Sequence, residues 1–131
     1  MIFRYTILYV QDVRATIAFF SKAFGFAQGF VHESGDYGEL VTGETKLAFS
    51  SIALMNLLGK EPQAPEMKRP VFELAFETQD VAADFAKAVA AGATPVQSPR
   101  LEAWGQTTAY VSDPNGYLIE ICSPVEPPSL D

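Results

Sequence analysis

The sequence repeats one pattern in its two halves, and this repeat limits the possible folds more than any other feature. Residues 5–13 and 73–81 align without a gap, and both end in Gln-Asp-Val. In each copy, an alternating strand-like stretch leads to an aspartate that can cap a helix. The chain is therefore expected to contain two modules of the same plan.

An amphipathic helix is predicted after each of these strands. The apolar stripe of the first helix recurs at helical spacing, and the second helix has a matching stripe. The first stripe consists of Val13, Ile17, Phe20 and Phe24, and the second of Val81, Phe85, Ala88 and Val89. Asp12 and Asp80 are predicted to cap the helices, and Gly25 and Gly92 to end them in a left-handed conformation. Both helices are expected to pack on a sheet.

Further strand signals follow each helix. The predicted strands are 27–31, 38–42 and 46–50 in the first half, and 94–98, 107–111 and 117–122 in the second. The sequence Asp113-Pro114-Asn115-Gly116 has the residue types of a tight turn, so the last two strands should form a hairpin. The predicted fold class is α+β, with two βαβββ modules that form a curved, mixed, mostly antiparallel sheet around a cavity.

The predicted organisation is a single domain over residues 1–131. Its modules lie at about 1–55 and 71–124, and a proline-containing, charged linker joins them at 56–70. A short C-terminal tail from Pro124 completes the chain.

Side-chain alternation separates two faces of the strand that opens the second module. Large apolar residues, Phe72, Leu74 and Phe76, alternate with Glu73, Ala75 and Glu77. Because the large apolar groups are expected to face the helix, Glu73 should point to the opposite, concave face. By the repeat, the same orientation is expected for Tyr5, Ile7 and Tyr9.

Charge and cysteine content restrict the function classes. The net charge of −7 disfavours binding to nucleic acid or to an anionic membrane surface. No apolar run approaches the roughly 20 residues that span a bilayer. The single cysteine, Cys122, cannot form an internal disulfide and is expected to be a buried, inert residue. We expect a cytoplasmic protein.

Several motifs resemble the glyoxalase, bleomycin-resistance and extradiol dioxygenase superfamily, also called vicinal oxygen chelate. They are Val10-Gln11-Asp12-Val13, Ala18-Phe19-Phe20, Phe24-Gly25-Phe26, Trp104-Gly105-Gln106 and Asp113-Pro114-Asn115-Gly116-Tyr117-Leu118-Ile119-Glu120. The resemblance extends from Tyr5 to about Pro124 and implies the two-module fold and a homodimer. It does not specify a reaction, because this scaffold supports lyases, isomerases, dioxygenases, transferases and binding proteins.

The resemblance also implies where a metal would bind. Glyoxalase-type members hold a divalent ion with a histidine on the first strand of each module and a glutamate on a later strand. The matching positions are Tyr5 and Glu73 for the histidines, and Glu39 and Glu120 for the glutamates. Both imidazoles are absent, and His32 lies near a turn. We therefore expect no metal; if one bound, Glu39, Glu73 and Glu120 would be its ligands and a hard ion would suit them.

The leading hypothesis is a metal-independent small-molecule binding protein of the bleomycin-resistance type, which sequesters a cationic or aromatic ligand such as an antibiotic. Carboxylates and aromatic rings both attract an ammonium or guanidinium group. The predicted ligand-binding residues are Tyr5, Tyr9, Glu39, Glu73, Trp104 and Glu120.

Two alternatives remain. In a glyoxalase-like lyase or isomerase, or a dioxygenase-like enzyme, Glu73 or Glu120 would act as a general base, with or without an oxygen-ligated metal. In a regulatory or structural protein, Phe30, Phe49 and Tyr110 would fill the cavity.

The individual residues also have simpler interpretations. Glu120 would then be a salt-bridged strand acid, and a register shift of one residue would turn Glu39 to solvent. Trp104 would cover a sheet edge.

Overall fold

The computed structural model describes residues 1–125, which form two compact units. The first unit consists of residues 1–65, and the second begins at Glu66. Most of the predicted C-terminal tail, residues 126–131, lies outside the described residues. In the described part of the chain, no helix is long and apolar enough to cross a membrane.

Each unit contains a four-stranded mixed sheet. The elements of the first unit are β1 (Tyr5–Val10), α1 (Val13–Phe24), β2 (Gln28–Val31), β3 (Tyr37–Leu40), β4 (Lys46–Ser51) and α2 (Ile52–Leu57). Those of the second are β5 (Glu73–Glu77), α3 (Val81–Ala90), β6 (Thr94–Leu101), β7 (Thr107–Ser112) and β8 (Leu118–Cys122).

The strand orders, β1-β4-β3-β2 and β5-β8-β7-β6, are the same in both units. The opening strand pairs in parallel with the closing strand, and the remaining pairs are antiparallel. The predicted α+β class and the two βαβββ modules are therefore confirmed. The common cavity between the modules and the single domain over residues 1–131 stay predictions.

The first helix begins and ends where the sequence predicts. The Asp12 side chain accepts a hydrogen bond from the Ala15 amide, and Gly25 ends the helix at a φ of 79°. The aromatic core then continues from the helix to the sheet, since the Phe20 ring lies 5.1 Å from the Phe49 ring. Phe49 is fully buried on this helix side, so the proposal that it fills the concave side is wrong.

Helix α1 approaches its sheet very closely at Gly38. A Cβ atom at this position would lie 2.5 Å from Ile17 Cδ1 and 3.1 Å from Val13 Cγ1. A larger residue at this point of β3 would force the Ile17 side chain to shift, so glycine allows the helix to approach this closely. The close packing fixes which face of β3 meets the helix, and so turns the neighbouring Glu39 to the opposite face.

The second helix follows the same design. The Asp80 side chain accepts from the Ala83 amide, Val81 and Ala88 are buried, and Gly92 follows the helix at a φ of 116°. The strand residues that face α3 form an apolar core with almost no solvent exposure. They are Ala109, Val111, Ile119 and Ile121.

The hairpin that joins β7 to β8 is held by a buried aspartate. Asp113 Oδ1 accepts hydrogen bonds from the Asn115 and Tyr117 amides, at 3.1 and 2.8 Å. Gly116 supplies the positive φ of 103° that the turn needs. The predicted turn is confirmed, and it fixes the register of the two strands on either side of it, β7 and β8.

Helix α2 was not predicted. Its sequence, Ile52 to Leu57, follows β4 without a glycine or proline, so the apolar run does not show where the strand ends. The Ser51 side chain starts the helix by accepting from the Leu54 amide. This helix occupies the first residues of the predicted 56–70 linker.

The packing of Phe20 gives a direct test of the core. We expect F20A to lower the free energy of unfolding by about 3–5 kcal/mol, because a fully buried ring is lost. The matched variant F30A removes a ring that is 60% exposed and should change it by less than about 0.5 kcal/mol. Urea unfolding followed by circular dichroism measures both, and equal losses would contradict the assigned core.

Candidate functional site

The strand register assembles an acidic cluster on the sheet face of the second unit that lies opposite α3. Glu120 on β8 pairs with Ala75 on β5 and with Tyr110 on β7, so these residues share one face. Glu73 lies on the same face, beside Leu118. Two of the predicted site residues, Glu73 and Glu120, are therefore brought together within one unit.

A phenol group joins the two carboxylates. Tyr110 Oη donates a hydrogen bond of 2.6 Å to Glu120 Oε2 and lies 3.4 Å from Glu73 Oε2. The sequence had suggested Tyr110 only as a residue that fills the cavity. The turn at residues 113–116 fixes the hairpin register, and this register could have placed Tyr110 opposite Glu120.

The surroundings of Glu73 change its proton affinity. Partial burial of the carboxyl group raises the pKa of Glu73, and the neighbouring Glu120 adds to this through a hydrogen bond and its charge. The hydrogen bond from Tyr110 lowers the pKa of Glu73 and so offsets part of this increase. The hydrogen bond to Glu120, followed by burial, raises the pKa of Tyr110, so this phenol keeps its proton and acts as a donor.

Cys122 lies next to this cluster on β8. Burial, together with Glu120, raises the pKa of its thiol to about 11. The buried cysteine is therefore protonated at neutral pH, which agrees with its prediction as an inert residue.

Another acid of the second unit already has a cationic partner. Arg100 Nε lies 2.8 Å from Glu102 Oε1, and Thr108 Oγ1 donates to the same oxygen at 2.7 Å. The hydrogen bond from Arg100 is the main reason that the pKa of Glu102 is lowered. Within residues 1–125, by contrast, no lysine, arginine or histidine forms an ion pair with Glu73 or Glu120.

Glu39 in the first unit also has partners of its own. Tyr37 Oη donates to Glu39 Oε2 at 2.7 Å, and Lys46 Nζ lies 3.2 Å from Glu39 Oε1. Glu39 is 8% exposed, so the alternative in which it faces solvent is wrong. Burial and the neighbouring Glu39 raise the pKa of Tyr37.

The tyrosines predicted from β1 lie on the face that carries Glu39. Tyr5 pairs with Lys46, Tyr9 pairs with Ser50, and Glu39 pairs with Ala48 on the same strand β4. Tyr5 is 45% exposed, whereas Tyr9 is half-buried. The convergence of this face with Glu73 and Glu120 on one ligand stays a prediction.

The registers also show that Glu39 and Glu120 do not occupy equivalent positions in the two modules. Ala75 pairs with Glu120 in the second module, and the matching pair in the first is Ile7 with Ala48. Ala48 therefore takes the place of Glu120. By the same comparison Lys46, which pairs with Tyr5, corresponds to Leu118, which pairs with Glu73.

Trp104 lies in the turn between β6 and β7 with 65% of its surface exposed. Its Nε1 donates to Gln106 Oε1 at 2.9 Å, and Gln106 Nε2 donates to the Ser123 carbonyl at 2.9 Å. These two bonds restrain the orientation of the exposed indole. A ligand that stacks on the ring would therefore cost less side-chain conformational entropy.

His32 takes part in a local turn. Its Nδ1 lies 2.7 Å from Ser34 Oγ and accepts a hydrogen bond from the Ser34 amide at 3.1 Å. The expected position of His32 near a turn is therefore confirmed. The histidine lies between β2 and β3, and the contacts of Glu39, Glu73 and Glu120 described above do not involve it.

A metal centre of the glyoxalase type does not fit these residues. Within residues 1–125, no group of three or more histidine, cysteine, aspartate or glutamate side chains is arranged to hold a metal ion. One of the predicted ligands, Glu39, already binds the Lys46 ammonium through Oε1. A divalent ion at Glu39 would have to displace this ammonium or bear its repulsion.

The raised pKa of Glu73 predicts how stability depends on pH. Because the folded protein binds this proton more tightly than the unfolded chain, ionisation of Glu73 opposes folding. Stability from this group is complete below the carboxyl pKa of the unfolded chain, and it is lost as the pH rises through the raised pKa of the folded protein.

At neutral pH, E73Q should therefore be more stable than the wild type, by roughly 0.5 kcal/mol because the side chain is well exposed to screening solvent. Urea unfolding across a pH series measures the difference, which should vanish at acidic pH. E44Q, which changes an exposed acid before β4, is the matched control. A less stable E73Q at neutral pH would contradict the assignment.

Comparison with known proteins places the chain in a family. Residues 2–121 match the family model described as Glyoxalase/Bleomycin resistance protein/Dioxygenase superfamily. No curated protein sequence matches the chain significantly.

Solved structures give the same result. A glyoxalase/bleomycin resistance protein/dioxygenase family enzyme from Burkholderia phytofirmans PsJN is 25% identical with a TM-score of 0.81, and the match covers 96% of this chain and 100% of that chain. A glyoxalase-related enzyme from Fulvimarina pelagi is 25% identical with a TM-score of 0.80, over 98% of this chain and 92% of that chain. A glyoxalase/bleomycin resistance protein/dioxygenase from Nocardioides shares the fold. It is 16% identical with a TM-score of 0.77, and the match covers 100% of this chain and 88% of that chain. The chain belongs to the glyoxalase, bleomycin resistance protein and dioxygenase superfamily.

Proposed function

We propose that this protein is a metal-independent small-molecule binding protein that sequesters a cationic ligand at Glu73 and Glu120. A difference among the acids supports the proposal. Glu39 and Glu102 each lie against a cation of the chain, at 3.2 and 2.8 Å. Glu73 and Glu120 instead lie against each other and Tyr110.

The electrostatics of this pair favour a cation. Two neighbouring carboxylates repel each other, and an ammonium or guanidinium group between them would replace that repulsion with two attractions. At the effective dielectric of a protein surface, a charge pair 4 Å apart interacts by about 4 kcal/mol before desolvation is subtracted. Tyr110 orients Glu120 by its hydrogen bond, so part of the site is ordered before the ligand binds.

Aromatic contacts complete the proposed ligand class. Trp104 presents an indole whose orientation is fixed, and Tyr5 and Tyr9 remain predicted contacts from the first unit. Rings of this kind stack on planar groups and attract cations through their faces. A ligand with both a positive charge and an aromatic or apolar part would use both kinds of contact. Sequestration needs no bond to be broken, so the residues act only by binding and orienting.

Direct titration tests the proposal. We expect a panel of cationic aromatic compounds, bleomycin among them, to change Trp104 fluorescence, and E73Q and E120Q each to weaken binding about tenfold, because one charge-assisted contact is lost. E44Q removes the same charge elsewhere and should bind like the wild type. Equal weakening in E44Q, or no response of the wild type to the whole panel, would count against the site.

The same site predicts a pH dependence of binding. A cation binds better to the ionised pair, so protonation of Glu73 competes with the ligand. Affinity should fall as the pH decreases through the raised pKa of Glu73, and the decrease should be smaller in E73Q. Isothermal titration at a series of pH values measures this, and a pH-independent affinity in the wild type would contradict it.

The proposal extends to the assembly and the location of the protein. We propose a homodimer in the cytoplasm, without nucleic acid or membrane partners, and a role in antibiotic resistance by sequestration. The acidic balance of −7 supports the absence of polyanionic partners. Light scattering of the purified protein tests the dimer, and a drug-susceptibility assay on cells that express it tests the resistance.

A general-base enzyme is the second candidate. The raised pKa of Glu73 suits a carboxylate that removes a proton next to a carbonyl group, and the structures from Burkholderia phytofirmans and Fulvimarina pelagi are described as enzymes. Exchange of α-protons of carbonyl compounds in deuterated water, followed by NMR, distinguishes the candidates. Exchange that depends on Glu73 would favour the enzyme, whereas tight binding without exchange favours sequestration.

A further inference from the structure

The carboxylate of Glu39 is occupied at both oxygens. Oε1 lies 3.2 Å from Lys46 Nζ, and Oε2 accepts the hydrogen bond of 2.7 Å from Tyr37. The Glu39 side chain is 11% exposed and the Lys46 side chain 43%, so the lysine reaches the buried acid from the solvent side.

The two units differ at the position that supplies this ammonium. Lys46 pairs with Tyr5 on the opening strand, and its equivalent in the second unit, Leu118, pairs with Glu73. Leucine cannot neutralise an acid, and the carboxylates next to it have no cation of their own within residues 1–125. This pair of equivalent positions thus gives the sheet face of the first unit a positive charge that the second unit lacks at the equivalent position.

We infer that Lys46 is a specificity-determining residue, whose tethered ammonium occupies Glu39 and excludes external cations from the sheet face of the first unit. This face then offers rings and apolar groups to uncharged molecules, because Tyr5, Ile7 and Phe30 are 45%, 44% and 60% exposed. The inference goes beyond the proposed function and does not depend on it.

Chemical rescue tests the inference. K46A removes three methylene groups and the ammonium, and n-propylammonium supplies the same atoms as a free cation. We expect n-propylammonium chloride to shift the NMR signals of Tyr37 and Glu39 in K46A, with saturation in the millimolar range that suits one weak contact. The wild type should show no saturable shift, because its own lysine occupies the carboxylate.

The controls separate this site from others. All measurements use the full chain with E73Q and E120Q added, and the wild type of this experiment is the chain that carries these two changes and keeps Lys46. The second unit therefore cannot produce the response, and failure of the proposed function leaves the test intact. K46A combined with E39Q should lose the response, and K22A, which removes an exposed lysine of α1, should not gain one. A saturable response in the wild type, or an unchanged response without Glu39, would overturn the inference.

A second variant covers the case in which K46A does not fold. K46M keeps an apolar stem and removes the ammonium group, with its charge and its hydrogen bond to Glu39. We expect methylammonium chloride to raise its melting temperature more than tetramethylammonium chloride at equal ionic strength, since only the smaller ion can donate hydrogen bonds to Glu39. The wild type should not distinguish the two salts. Equal melting temperatures of K46M in both salts would contradict the role of Lys46.

Discussion

Parallel pairing of the opening and closing strands organises each unit of this protein. It places β4 beside β1 and β8 beside β5, in the interior of each sheet. The helix then covers one face, where residues such as Phe49 and Ile119 are fully buried. Because side chains alternate along a strand, the strand residues next to these buried ones face the other side of the sheet. Glu39 and Tyr37 in the first unit, and Glu73, Glu120 and Tyr110 in the second, lie on this second face as a direct result.

The two units show how one backbone plan can carry different chemistry. In the first, an acid is neutralised by a lysine from the neighbouring strand and held by a tyrosine. In the second, two acids share a tyrosine, and partial burial together with the neighbouring Glu120 raises the pKa of Glu73. The charge of Glu39 is neutralised by a cation of the chain itself. The charges of Glu73 and Glu120 repel each other, so a bound cation would stabilise their ionised forms. The candidate site is thus defined by which charges remain uncompensated.

Much of the fold could be predicted from the sequence because the signals are local. Asp12, Gly25 and Asp80 mark helix ends through their own backbone preferences, and the turn at residues 113–116 fixes a hairpin. The site was predicted less completely, since it depends on neighbours across strands. Lys46 and Tyr110 are distant in sequence from Tyr5 and Glu73, and only the register makes them partners. Phe49 was placed on the wrong face because the order of apolar residues in β4 does not show which side meets the helix.

The same parallel pairing determines when each unit can fold during synthesis. Tyr5 pairs with Lys46, so β1 has no strand partner until the whole of its module has been made. Contacts of this sequence separation form later than the turns and helix contacts within the module, because closing the long loop costs entropy. The first unit has all of its strands by Ser51, before the residues of β5 are translated. Folding on the ribosome would therefore proceed one module at a time, from the N-terminus.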